Sequence, residues 1–91
     1  MTSVFRAQLI KGINEKIISK VDARFVMAAI NETGSIDSAA DIIMRYGERI
    51  DGDIDVILPG YSIRDHKMIA KRIIDNVCEL SITVDDLPGI E

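Results

Sequence analysis

The stretch NETGSIDSAADIIMRYG, Asn31 to Gly47, constrains the fold of this chain more than any other. Gly34 is suited to the left-handed conformation that ends a helix, and Ser35 or Asp37 then offers a side-chain oxygen to cap the next one. After the restart, Ile36, Ala39, Ala40, Ile43, Tyr46 or Gly47, and Ile50 recur at steps of three and four, the spacing of one apolar helical face. Before it, Phe25, Val26, Ala29 and Ile30 do the same, with Asp22 as the expected cap. Two amphipathic helices joined by so short a corner must share a core.

The rest of the chain follows the same grammar. From Ser3 onward Val4, Ala7, Ile10, Ile13, Ile17 and Val21 predict a first helix, with Gln8, Lys11, Glu15 and Lys16 in water. Gly12 weakens that helix by roughly 1 kcal/mol relative to alanine, which points to a bend or a close approach by another helix. Beyond Ile50 the pattern changes. Ile54, Val56 and Leu58 alternate with Asp55 and Ile57 and stop at Pro59-Gly60, which predicts a short strand or an extended segment. Ser62 and Asp65 resemble a capping box that opens a further helix, whose stripe is His66, Ile69, Ala70, Ile73, Ile74 and Val77. Leu80, Ile82 and Val84 alternate again, and the natural partner of this second strand is the first, since a lone extended segment leaves its backbone unpaired. The expected fold is mostly α, α+β in detail: a small single domain over residues 1–84, with three or four helices and a minor two-stranded element. Residues 85–91 form an acidic C-terminal tail.

Charge narrows the classes of partner. The net charge is -4, and residues 1–50 are nearly balanced, with seven Lys or Arg against six Asp or Glu. The excess acid lies in Asp51, Asp53 and Asp55 and in Asp85, Asp86 and Glu91, the reverse of the basic face that binds polyanions. Aromatic residues make up only 4% of the chain, too few for a platform on which single-stranded nucleic acid stacks. Cys78 is the sole cysteine, so neither an internal disulfide nor a zinc cluster can be built on it. The N-terminal residues carry charges every few positions, and no segment approaches the ~20 apolar residues that span a bilayer. The expectation is a cytoplasmic protein that does not engage membrane and needs no cofactor.

Ala29, Ile30, Thr33, Gly34, Ser35, Ile36, Ala39 and Ala40 resemble the opening of winged helix-turn-helix regulators of the ModE and LysR kinds, over about a fifth of the chain. The resemblance implies that a recognition helix for the DNA major groove follows within a few residues. Here the next helix waits until about Ser62, after the acidic segment. A DNA-reading role therefore falls to Arg64, Lys67, Lys71 and Arg72 on that later helix, where Asp65, Asp75 and Glu79 nearly cancel their charge.

The remaining chemistry is sparse. Counted from Asp51, a calcium loop needs glycine at its sixth position and glutamate at its twelfth, which Val56 and Ser62 occupy instead, so the aspartates read as an edge that discourages aggregation. His66 lacks a sequence-evident nucleophile or carboxylate partner, Ser62 is accounted for as a cap, and Cys78 reads as a small core residue. No catalytic residue and no metal site is implied. Isoleucine is in surplus, with adjacent pairs at Ile17-Ile18, Ile42-Ile43 and Ile73-Ile74 broadening each stripe. That surplus points to protein binding or self-association, as an adaptor, inhibitor or homo-oligomeric assembly subunit, through Ile18, Ile42 and Ile74. The tail residues Asp85, Asp86 and Leu87 offer a further docking motif. DNA binding by a helix-turn-helix regulator is the alternative.

Overall fold

A computed structural model describes residues 2–48 and 54–82, with side chains from Val4 onward. Among these residues the chain is mostly helical: α1 (Thr2–Asn14), α2 (Lys20–Thr33), α3 (Ile36–Glu48) and α4 (Ile63–Val77). The helices close on one core of Phe5, Leu9, Ile18, Phe25, Val26, Ala29, Ala39, Ala40, Ile42, Ile43, Tyr46, Leu58, Ile69, Ala70, Ile73 and Val77.

The local punctuation lies where residue chemistry places it. Gly34 ends α2 at φ 91°, and its N–H donates to the Ile30 carbonyl at 2.7 Å. Ser35 Oγ accepts from Ser38 N–H at 3.1 Å and caps α3, while Asp37 in its first turn pairs with Arg6 at 2.6 Å. Ser62 caps α4 by accepting from Asp65 N–H at 3.1 Å. At the start of α2 the cap is Ser19, which accepts from Asp22 N–H at 3.2 Å. Asp22 sits three residues inside the helix, and its carboxylate is spent on a different partner.

Helix α1 buries Ala7 of the expected stripe and packs Ile13 against the core, and it turns further residues inward beside them. Phe5 and Leu9, four residues apart, enter the core, whereas Val4, Ile17 and Val21 are exposed. The run is cut at Asn14, so Ile17 and Val21 do not continue its stripe. Ile17 N–H donates to the Gly12 carbonyl at 2.8 Å and Lys16 N–H to the Ile13 carbonyl at 3.1 Å, the paired bonds of a Schellman stop. Lys16 occupies its left-handed position at φ 61°, which disfavours a side chain with a Cβ. Replacing it with glycine, Lys16→Gly, relieves that strain and is expected to stabilise the fold by up to about 1 kcal/mol, measured by urea unfolding.

Gly12 marks a close approach: a Cβ there would stand 2.7 Å from Val77 Cγ1 and 3.1 Å from Ile18. Gly47 does the same where α3 crosses α4, since its Cβ would stand 3.6 Å from the backbone of Lys71 and would overlap Ile74 Cδ1. Both glycines therefore serve helix packing.

The expected two-stranded element does not occur among the described residues, which contain no strand; Thr83 and Val84 lie outside them. Helix side chains serve the backbone groups that a partner strand was expected to satisfy. Tyr46 OH donates to the Val56 carbonyl, and Leu58 N–H donates to His66 Nε2 at 2.8 Å. At the other end of the chain Gln8 Nε2 donates to the carbonyls of Cys78 and Leu80 at 3.0 and 3.1 Å, and Lys11 Nζ to that of Ser81 at 2.9 Å. Gln8, expected in water, is thus part of the fold.

Candidate interaction surface

The sequence candidates separate into three groups once folded. Ile18 and Ile42 are core residues, 4% and 3% exposed, and Ile74 is half-buried over Gly47. In this fold Ile18 and Ile42 have almost no surface to offer a partner, Ile18 packing against Gly12 and Ile42 entering the core with Ile43. The tail candidates Asp85, Asp86 and Leu87 lie outside the described residues. Of the basic residues of α4, Arg64 and Lys71 are exposed and Lys67 is half-buried, whereas Arg72 is engaged.

Arg72 reaches across to α2 and grips Asp22 with both arms, Nε to Oδ2 at 2.8 Å and Nη2 to Oδ1 at 2.5 Å. The carboxylate is buried at 1% exposure, while the guanidinium side chain is 45% exposed. A buried carboxylate without this two-point partner would carry a large desolvation cost, so Arg72 first serves the fold. The side of α3 that faces solvent carries Asp37, Asp41 and Glu48, an acidic face unlike that of a helix that reads phosphate-flanked bases.

Beneath residues 54–61 lies a box of four rings. Phe25 meets Tyr61 edge-on at 5.0 Å and His66 at 5.6 Å, and Tyr46 meets His66 at 5.3 Å. The imidazole is completely buried and both its nitrogens have backbone partners, so it has no position from which to attack or deprotonate a substrate. Burial, reinforced by the charge of Asp55 and opposed by Arg45, pushes the Tyr46 phenol up to about 12 from its ordinary 10.0. The neutral phenol is thus favoured by folding: this contribution is complete below pH 10.0 and is lost as pH rises toward about 12. Unfolding followed at about pH 9 and pH 11 should show a loss of about 1 kcal/mol that Tyr46→Phe lacks.

Cys78 is a free thiol at the end of α4 and is exposed, not the small core residue that its sequence context suggests. Burial and then the charges of Asp75, Glu48 and Glu79 push it up, which keeps the thiol protonated and poorly nucleophilic. Among the described residues no three His, Cys, Asp or Glu side chains are grouped to hold a metal ion, and Asp55 pairs with Arg45 at 3.1 Å. No described helix is long and apolar enough to cross a membrane.

Among these charged positions the surface also carries large apolar side chains. Val21, Met27, Ile63 and Met68 are 58%, 53%, 46% and 50% exposed, on α2 and α4. Met68 lies one turn before Arg72 on α4, so the exposed part of the ion pair has a large exposed apolar residue on the same helix face, and exposed Val21 opens α2 one residue before Asp22. Sequence reading placed the surplus on isoleucines within the stripes. Exposed Val21 instead belonged to the expected core face of α1, and only the break at Asn14 released it. Compared with family models, with curated proteins and with solved structures, the chain matches none.

Proposed function

We propose that this chain works by binding protein, either a second copy of itself or another chain, through the outer surface of α2 and α4. The observation that supports this reading is the set of half-exposed large apolar side chains on these helices, Met68 one turn from Arg72 above all. Apolar residues around an arginine held in place by a buried carboxylate have the composition of an interface centre, where aliphatic packing and a fixed guanidinium act together.

Solution mass measured by light scattering over a range of protein concentrations tests the reading. Self-association gives a mass above that of one chain, and Val21→Asp with Met68→Asp returns it to the monomer while the helical circular dichroism is unchanged. Each substitution is at the surface and should alter stability by no more than about 0.5 kcal/mol. A monomer at every concentration, with no protein retained on an affinity column carrying the chain, overturns the proposal. The DNA-reading alternative would instead rest on Arg64, Lys67 and Lys71, and predicts binding that weakens steeply with salt.

A further inference from the structure

The imidazole of His66 does more in this fold than fill the ring box. Leu58 N–H donates to Nε2 at 2.8 Å, and Nδ1 stands 2.6 Å from the Ser62 carbonyl oxygen. A backbone N–H only donates and a carbonyl oxygen only accepts, so the ring carries its single proton on Nδ1 and turns a lone pair toward Leu58. A second proton has no place here. On Nε2 it would face the amide hydrogen of Leu58, donor against donor, inside a box of aromatic side chains that excludes solvent.

We infer that His66 is the latch of a proton-operated strap: protonation of the imidazole releases residues 54–61 from α3 and α4 and uncovers the ring box, while the helices stay folded. The released ring can take up a second proton, whereas the latched ring has no geometry for it. The open form therefore binds more protons, and the strap loses stability as pH falls. The groups packed against the ring do not replace it as the trigger. Tyr46 from α3, its phenol pushed up to about 12, is neutral throughout acid conditions, Tyr61 from the strap packs on the imidazole through its ring, and Phe25 from α2 does not titrate. The charged groups on the same elements are Arg45 and Asp55, which tie α3 to the strap, Asp22 and Arg72 between α2 and α4, and Asp65 and Lys67 beside His66 on its own helix. Carboxylates ordinarily titrate near pH ~4, so a window above about pH 5 isolates the imidazole.

The experiment uses the full chain labelled with nitrogen-15. At about pH 7.5 the ring spectrum should show the proton on Nδ1 and a bare Nε2; a proton on Nε2 overturns the inference. Between about pH 7.5 and pH 5 the Leu58 amide, corrected for its intrinsic exchange rate, should lose about tenfold or more of its protection while Ala29, Ala40 and Ile73 keep theirs. His66→Gln, whose side-chain oxygen accepts from Leu58 without titrating, should hold Leu58 protection constant over the same range. Unchanged Leu58 protection in the parent chain overturns the inference, and so does loss at Leu58 and the helical amides together. If His66→Gln fails to fold, the comparison within the parent chain still decides.

Discussion

Ile42→Asp is expected to unfold this chain outright. The side chain of Ile42 is part of the core on α3, and its removal alone costs roughly 2–5 kcal/mol for lost burial and the cavity left behind. The introduced carboxylate adds several kcal/mol more, about as much as a buried ionised group costs when nothing pairs with it. Domains of this size are held together by about 5–15 kcal/mol in total, so the sum consumes most or all of the stability. Circular dichroism should lose its helical signal, and heating should show no cooperative transition. Ile18→Asp is expected to behave alike, since Ile18 packs beneath Gly12. Met68→Asp, with an exposed side chain of similar size, should melt close to the parent. The contrast matters for any assay of association: a lost complex in Ile42→Asp reports an unfolded monomer, whereas one in Met68→Asp reports an interface. A folded Ile42→Asp chain that melts like the parent would contradict the core described here.

Arg72→Ala should cost about 2–4 kcal/mol in urea unfolding, although the arginine side chain is nearly half exposed, because it strands the buried carboxylate of Asp22. Arg64→Ala and Lys71→Ala, exposed on the same helix, should each stay within about 0.5 kcal/mol of the parent. Replacing both partners with apolar residues of similar volume, Asp22→Leu with Arg72→Met, is expected to recover most of the loss, since two desolvated charges are then removed together. An Arg72→Ala chain as stable as the parent would mean that Asp22 finds water or another donor. A test of DNA binding should accordingly neutralise Arg64 and Lys71 and leave Arg72 intact, or it will score unfolding as lost affinity.

The elements that sequence reading placed correctly depend on neighbours a few residues away. Gly34, Ser35 and Ser62 satisfy helix ends through bonds spanning three or four residues, so their roles follow from residue type and spacing alone. The buried face of α4 was legible for a related reason: His66, Ile69, Ala70, Ile73 and Val77 recur at helical spacing and are buried as that spacing predicts. On helix α1 Ala7 is buried as its stripe predicted, but Phe5 and Leu9 are buried with it and Val4 is not, and periodicity alone does not set how far the buried face is rotated. The choice of face depends on where the helix stops, and Lys16 adopts the left-handed conformation there without the glycine that would have announced it.

What tertiary structure alone decided is how distant polar groups are satisfied. Alternation in residues 54–58 and 80–84 pointed to two strands because extended backbone needs partners, and the described parts of both segments do find partners. The partners turned out to be Tyr46 and His66 for one segment and Gln8 and Lys11 for the other, the latter some seventy residues away in sequence. Asp22 and Arg72, fifty residues apart, likewise reveal their pairing only when α2 and α4 are packed. By itself the sequence determined a mostly helical chain of three or four helices, the stop at Gly34, the caps at Ser35 and Ser62 and the buried face of α4, because short-range bonds and apolar spacing are local. The tertiary structure decided which isoleucines have surface to offer, which arginine is held by the fold and which residues flank it, because burial and ion pairing depend on what the rest of the chain brings alongside.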